Sequence, residues 1–440
     1  MSEPAPEGSK SLKRPRGLLA SRKNAAANEG SGSSTKKPRA DDLQLEVDQD
    51  TLNAQDWSDL KDLFHEAVDV FYGESPLNAL PLIRGVLHEC ARLASVHEDP
   101  TAIYSPLGAP NHATLPDPAC AFYNVYTFSW YIMYTFARSD SSVLTEDEPK
   151  EPIAYILSAL AACEKGRQAL DVRKLSRTWD FEFLQARTFL AAAQSWVSLD
   201  GRENNDPSAT QSRSMSTSSI IRLAGSSPSA ALQRGIDHLS YALDHRPDDS
   251  KFGHNYKDEK HIFARSLLDA AQVVLAVTER LDQDSKDDDE EERRLKNKRL
   301  FSARKFFSEV VSQPNISTSI RAQGIFGEGQ VELAIGAGIA EVLEGGEDEE
   351  SDETEGLRKE AVSSLKSAIE KFDEVRGLSP EMEDKSRIEE EDVKPLLQEA
   401  LVTLATLLLE GPEQEATYAR YREEGGELED DDDEEDGGEK

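Results

Sequence analysis

The sequence has few cysteines, and they are not grouped. Its 440 residues include three cysteines, and none of Cys90, Cys120 and Cys163 forms a C-x-x-C pair. An odd number of widely spaced cysteines cannot build a complete disulfide framework and lacks the paired ligands of a structural zinc site. The N-terminal residues also lack the apolar stretch of a secretory signal. These absences favour buried thiols in a reducing compartment.

Motifs for catalysis and nucleotide binding are missing as well. The chain has no P-loop, no H-E-x-x-H and no G-x-S-x-G. Gly324, Gly327 and Gly329 form G-x-x-G-x-G, which is the wrong order for a dinucleotide-binding fingerprint and follows no predicted strand. Together with Gly336 and Gly338, they favour close packing of helices. We therefore expect no enzyme activity and no cofactor.

A metal site is not expected either. His88, Cys90 and His97 come closest to a ligand cluster, but His88 and Cys90 would lie about 200° apart around a helix. Such a pair cannot easily share one ion, and a structural zinc site takes four ligands. Cys90 belongs to the apolar face, and we expect His88 and Glu89 to bond to a neighbouring helix or loop.

One long uncharged stretch raises the question of a membrane span. Residues 119–137 contain no charged side chain, and about 20 apolar residues would suffice to cross a bilayer. The stretch is rich in tyrosine, includes Asn124 and has few Leu, Ile or Val residues. This composition favours a buried amphipathic helix, so we expect no membrane contact.

Charge is unevenly distributed along the chain. Residues 1–39 hold nine Lys or Arg residues and three Glu residues, a net charge of +6. Because the whole chain carries −35, residues 40–440 carry −41. Such an acidic body repels phosphates and attracts basic partners, so direct nucleic-acid binding is not expected. The acidity could equally serve solubility alone.

The basic N-terminal segment contains two clusters of the form basic-basic-Pro-basic, with a further basic pair twelve residues before the second. This arrangement matches one-part and two-part nuclear import signals, whose cations fit acidic grooves on an import receptor. We therefore predict a nuclear protein that binds an import receptor. The predicted signal residues are Lys13, Arg14, Arg16, Arg22, Lys23, Lys36, Lys37 and Arg39.

Apolar residues recur at spacings of three and four through most of the chain, and no convincing alternation predicts a strand. We predict an all-α fold of about a dozen helices in antiparallel-looking pairs. Residues 1–41 form a disordered basic segment and residues 425–440 a disordered acidic tail. Residues 42–424 form a helical repeat-like domain with flexible insertions at 201–229, 282–292 and 344–355.

The helix pairs recur about every 35–45 residues, which is typical of tetratricopeptide-like arrays. Residues 357–376 and 393–410 form the clearest pair. Most Trp, Gly, Tyr and Pro signature positions are missing, so we predict a degenerate helical-hairpin array. Such arrays curve and offer a groove to a peptide or domain. An irregular helical bundle is the alternative.

Three segments resemble a known family. Residues 13–18, Lys-Arg-Pro-Arg-Gly-Leu, are similar to the K-R-P-x-G-L start of the fungal enhancer of translation termination proteins. The helix Ile83–Leu93 resembles the hallmark helix of that family. Residues 396–410, leading into 415–418, are similar to its C-terminal pair. Expansions at 100–118 and 201–229 depart from the family pattern and blur the repeat boundaries.

The resemblance implies a non-enzymatic nuclear adaptor with a tetratricopeptide-like fold. Members of this family are described as negative regulators of an Ofd-type oxygenase. They are thought to bind this prolyl-hydroxylase-like oxygenase, which depends on 2-oxoglutarate and Fe(II). Through it they influence hypoxic gene expression and translation termination. The iron would belong to the oxygenase, and the resemblance supplies no catalytic residues to this chain.

A histone chaperone is the alternative function. Residues 423–439 contain twelve carboxylates, and shorter acidic runs occupy residues 287–292 and 347–355. Helical arrays with acidic insertions are suited to shielding basic histones. Each acidic run could equally be a solvated segment without a partner.

Overall fold

A computed structural model describes the helical part of the chain, all of it within one unit, Gln49–Lys440. The predicted basic segment, with its import signal, and the end of the predicted acidic tail lie outside the described residues. The described ranges are 49–73, 75–103, 120–200, 218–247, 259–284, 290–345, 352–378 and 388–427.

Six helices of more than ten residues make up the first half of this part. They are α1 (Gln49–Tyr72), α2 (Leu80–Val96), α3 (Ala121–Ser139), α4 (Pro152–Arg173), α5 (Trp179–Asp200) and α6 (Pro228–Asp244).

Six more helices follow. They are α7 (Glu259–Asp284), α8 (Glu290–Ser312), α9 (Thr318–Gly345), α10 (Asp352–Leu378), α11 (Glu390–Leu407) and α12 (Pro412–Glu423). Within the described ranges no strand occurs. The predicted all-α helical array is therefore confirmed.

Helices that follow one another in the chain pack against each other. The most extensive contacts join α9 to α10 and α5 to α6, while α7 also touches α5 and α9. Of the pair predicted as clearest, α10 does pack on α11, but it packs more extensively on α9. The array therefore continues without a break from one hairpin to the next.

Glycines on α9 explain why α10 comes so close. A Cβ atom on Gly336 would lie 2.6 Å from Leu365 Cγ, and one on Gly329 would lie 2.8 Å from Phe372 Cε1. Both distances are too short for real carbon atoms, so each position requires glycine. Gly324 and Gly327 meet α8 in the same way. Close helix packing is thus confirmed for four of the five glycines, whereas a Cβ atom on Gly338 would make only an ordinary contact, with Lys296 Nζ at 3.8 Å.

The aromatic helix α3 lies in the core, as its composition predicts. Phe122, Ile132 and Met133 are each at most 1% exposed. Their burial near the start and in the second half of the helix fixes α3 among α2, α4 and α5, which pack around it. Among the described helices, none combines the length and the apolar composition that a membrane span requires.

Apolar spacing predicts that Leu80, Ile83, Leu87, Cys90 and Ala94 form one face of α2, and the observed face differs slightly. Leu80, Ile83 and Cys90 are buried as expected, but Val86 and Leu93 complete the face. Leu87 is only partly buried and Ala94 is exposed. On two turns the buried residue is therefore the one before the predicted residue. A spacing of three or four residues does not decide which of two adjacent apolar residues is buried; contact with the partner helix decides it.

Helices extend into all three predicted insertions. Residues 218–224 are helical, and α6 begins at Pro228, where the Ser227 hydroxyl caps it by accepting a hydrogen bond from the Ala230 amide at 3.1 Å. Helices α7 and α8 cover both ends of the second insertion, and α9 and α10 cover both ends of the third. Residues 201–217, 285–289 and 346–351 lie outside the described part.

Candidate functional site

Two surface depressions stand out. A shallow one of about 480 Å³ lies on the outer face of α8 and is lined by that helix alone. A deeper one of about 540 Å³ lies between α1, α3, α5 and α7. Binding sites are usually concave and built from several elements. The deeper depression is therefore the candidate site.

The walls of this depression come from matched helix faces. On α3, Tyr131, Tyr134 and Arg138 are spaced three and four residues apart, which places them on one face. Arg187 of α5 lines the opposite wall. The pair Arg265 and Asp269, four residues apart on α7, closes the side. We call the space bounded by Arg138, Arg187, Arg265 and Asp269 the arginine cavity.

Arg187 is the least exposed of the three arginines, at 6%. Its guanidinium lies 4.4 Å from the ring centre of Tyr131 and 5.1 Å from that of Phe128. One Nη atom donates to the Tyr72 hydroxyl at 3.3 Å, and that hydroxyl also bonds to Ser266 Oγ at 2.9 Å. Aromatic faces and hydroxyls thus hold the cation in place.

Arg187 forms no direct ion pair within the described part of the chain, although Asp269, which pairs with Arg265, is near enough to raise its pKa. The Nε of Arg187 is buried without a hydrogen-bond partner. An unsatisfied buried group of this kind costs about 1–3 kcal/mol. Buried charges in proteins are usually paired, so an unpaired guanidinium beside a cavity is a candidate for ligand binding.

The other charged groups leave the arginine cavity positive. Arg265 Nε lies 3.3 Å from Asp269 Oδ1, so these two charges largely offset each other. Arg138 is exposed and donates to the neutral side chain of Gln194. Three guanidinium groups therefore face one carboxylate, in a chain of net charge −35.

Burial and neighbouring charges shift the pKa values of Tyr131, Asp269 and Arg187 in the arginine cavity. Burial raises the pKa of Tyr131 to about 12, so that phenol is neutral at physiological pH. Partial burial also raises the pKa of Asp269, and the neighbouring Arg265 and Arg187 offset only part of that rise. Burial lowers the pKa of Arg187, but Tyr72, Tyr131 and Asp269 raise it by more, so the guanidinium remains charged.

Other groups considered from the sequence do not form a site. His88 is 78% exposed and lies 3.5 Å from Glu89 on its own helix, while Cys90 is fully buried. Glu89 bonds to Arg92, which reaches Asp56 of α1 at 3.0 Å. Across the described ranges, no cluster of His, Cys, Asp or Glu could hold a metal ion.

The sequence-based reasoning did not identify the arginine cavity. One signal was present, because Arg187 is one of two charged residues, with Glu182, in the largely apolar stretch from Phe181 to Ala193 on α5. A charged residue in a buried stretch marks either a buried bond or a binding group. Only the packing of α3 and α7 shows that Arg138 and Arg265 approach the same space.

The sequence matches no protein-family model and no curated protein. Among solved structures, the chain is similar to one described as the S. pombe nuclear import adaptor Nro1, with a TM-score of 0.53 and 16% identity. The similarity covers 84% of this chain and 92% of that one.

A second Nro1 structure is described as that of a hypoxic regulator of sterol synthesis that is a nuclear import adaptor. It matches with a TM-score of 0.53 at 16% identity, over 87% of this chain and 93% of that one. At this identity the likeness shows the fold, so the chain shares the Nro1 fold over most of its length.

Proposed function

We propose that the protein is a nuclear, non-enzymatic adaptor. The observation that carries this proposal is the Nro1 fold over 84% of the chain, since Nro1 is described as a nuclear import adaptor. The two basic clusters at Lys13–Arg16 and Lys36–Arg39 support it, because they supply what an import receptor would bind. The body would then bind the imported protein.

We further propose that the bound partner is a 2-oxoglutarate- and Fe(II)-dependent prolyl-hydroxylase-like oxygenase. This part follows from the resemblance of residues 13–18, Ile83–Leu93 and 396–418 to the fungal enhancer of translation termination proteins. Through the oxygenase, the protein would regulate hypoxic gene expression and promote correct translation termination. The oxygenase would hold the iron.

Affinity purification of the tagged full-length protein from nuclear extract, followed by mass spectrometry, tests this proposal. We expect an oxygenase of this class and an import receptor among the dominant partners. Recovery of the import receptor without an oxygenase would support the adaptor role and would contradict the proposed oxygenase partner. Recovery of neither would overturn both.

Histone chaperoning is a second proposal, favoured by the net charge of −41 on residues 40–440. Basic histone tails would be attracted to such a surface. Deleting residues 425–440 separates the two functions. Severe loss of histone binding after the deletion supports the chaperone, whereas an unchanged oxygenase complex supports the adaptor.

A further inference from the structure

We propose that the arginine cavity binds an Asp or Glu side chain of a partner peptide, with an apolar residue of that peptide beside it. This inference rests on the proposed adaptor function, since it takes the ligand to be part of a protein partner. It adds the chemistry by which that partner is recognised.

The first reason is the unpaired charge of Arg187. Its guanidinium lies against the rings of Tyr131 and Phe128, and among the described residues it makes one hydrogen bond, to the Tyr72 hydroxyl. No carboxylate within the described residues forms a direct ion pair with it; Asp269 acts on its charge from a greater distance and is itself paired with Arg265. Because the rings restrain the guanidinium, little of its freedom remains to be lost when an anion binds.

The second reason is the position of Arg138, which lines the same cavity from α3. It is exposed and bonds only to the neutral Gln194 side chain. An exposed guanidinium can attract an anion at the entrance, and a buried one can hold it inside. Arginine binds carboxylates well because its donors form a planar fork.

Asp269 distinguishes a carboxylate from a more highly charged anion. It stands on the wall of the arginine cavity and pairs with Arg265 at 3.3 Å. A ligand with two negative charges would meet more repulsion from Asp269 than a ligand with one. The acidic body, with its net charge of −41, adds to that repulsion for polyanions. A single carboxylate suits the site better than a phosphate.

Apolar groups in the same cavity account for the second part of the ligand. Phe71, Leu190 and Val273 lie on its walls together with the rings of Tyr131 and Tyr134. The volume of about 540 Å³ is within the usual range for a ligand pocket. It has room for an acidic side chain and an apolar neighbour, but not for a folded domain.

Selection from a random heptapeptide library displayed on phage tests this inference on the full-length protein. We expect the enriched peptides to share an Asp or Glu next to an apolar residue. The best peptide is then compared with its twin in which that Asp or Glu is the matching amide. The amide twin should bind at least about tenfold more weakly, since a charge-assisted bond is lost.

Variants of the protein test the location. Arg138→Gln and Arg265→Gln should each weaken the acidic peptide several-fold, whereas Asp269→Asn should strengthen it by removing a repulsive charge. Arg187→Gln should weaken it most, provided that its thermal melt shows a folded protein. Arg294→Gln on the outer face of α8 is the matched control and should bind as the unmodified protein does.

Several results would overturn the inference. The phage selection would overturn it by enriching no peptide, or by enriching peptides without a carboxylate. The peptide comparison would overturn it if the amide twin bound as tightly as the acidic peptide. Weaker binding by Asp269→Asn would indicate a cationic ligand instead. Inorganic phosphate that displaces the peptide at lower concentration than free glutamate would indicate a phosphate site.

The failure of this inference and that of the adaptor function can be told apart. If Arg138→Gln and Arg265→Gln still recover the oxygenase from nuclear extract at full yield, the adaptor function stands and the arginine cavity is not its contact. If the acidic peptide binds as expected but no oxygenase is recovered, the cavity stands and the proposed partner is wrong.

Discussion

Two glycines on α9 show how one residue type can have opposite effects within a helix. A Cβ atom on Gly327 would overlap the ring of Phe307, which is completely buried. We expect Gly327→Ala to lower the free energy of unfolding by about 1–3 kcal/mol, since the rigid ring must move. Urea unfolding followed by circular dichroism measures the change.

Gly338→Ala is the matched control on the same helix. The nearest atom to its added Cβ would be Lys296 Nζ at 3.8 Å. Alanine favours a helix over glycine by about 1 kcal/mol, so this variant should unfold at a higher urea concentration. A similar shift for both variants would mean that close packing at Gly327 is not what requires glycine.

The three cysteines are buried, and burial raises the pKa of each thiol. For Cys120 and Cys163 the pKa rises to about 12. At pH 8 only about one in ten thousand of these thiols would be the reactive thiolate. We expect Ellman's reagent to modify no thiol in the native protein and three in urea. Fast reaction of one thiol under native conditions would show that its helix opens.

At the residue scale, the sequence indicated which side chains are buried, but not their polar partners. The packing of the α9 glycines and the burial of Cys90 follow from the local sequence. The surroundings of Arg187 could not be predicted in this way, because they include Tyr72, Tyr131 and Ser266, which are on three other helices. Contacts between residues far apart in the chain have no local signature.

Among the described elements, α12 is joined to α10 by three ion pairs, of which the pair of Arg376 with Glu424 is the least exposed. Arg376 of α10 donates two hydrogen bonds to Glu424, just after α12, at 2.7 and 2.9 Å. It also bonds to Glu390 at the start of α11. We expect Arg376→Gln to speed amide hydrogen exchange in α12 and to destabilise the protein by about 1 kcal/mol or less, since solvent screens the pair.

Arg422→Gln is the control, because Arg422 is an exposed arginine on α12 itself. It should leave hydrogen exchange in α12 unchanged. Equal protection of α12 in Arg376→Gln and the unmodified protein would show that apolar packing alone holds the helix.

The same pair predicts a pH dependence. The hydrogen bonds from Arg376 lower the pKa of Glu424 from its ordinary value of 4.5. A carboxylate with a lowered folded-state pKa stabilises the fold above its unfolded pKa and loses that effect as the pH falls through the lowered value. The difference in urea midpoint between Arg376→Gln and the unmodified protein should therefore shrink below about pH 4.5. A constant difference down to pH 3 would contradict this.

Helices were easier to predict than their ends. Periodicity predicted about a dozen helices, but α6 begins at Pro228, within the predicted insertion at 201–229, because Ser227 caps it. Acidic and Ser-rich composition predicted insertions into whose ends described helices extend. Composition reports the average polarity of a stretch, whereas a helix end depends on one capping bond.

At the scale of the whole molecule, the import signal can be tested directly. Replacing Lys36, Lys37 and Arg39 with Ala should spread the protein into the cytoplasm, since the import receptor binds clustered cations. Fluorescence microscopy of the tagged protein measures the nuclear fraction. If the nuclear fraction is undiminished, the first basic cluster or a partner suffices for import. Replacing all eight predicted signal cations should then be needed to lower the nuclear fraction.

Ala substitution of Arg294, Lys298 and Lys305 on α8 controls for the loss of three positive charges. These residues line the shallow depression on a folded helix. The control should keep the protein nuclear. Nuclear accumulation after loss of all eight signal cations would contradict the import role of the N-terminal segment.

The sequence by itself determined the all-α architecture, the number of long helices and the contrast between a basic N-terminal segment and an acidic body. These features depend on local periodicity and on summed charge, which require no knowledge of tertiary contacts. Only the tertiary structure decided which faces meet: α10 packs mainly on α9, where glycines let it approach. It also brought Arg138, Arg187 and Arg265 to one cavity, because the packing of α3, α5 and α7 fixes distances that sequence separation does not.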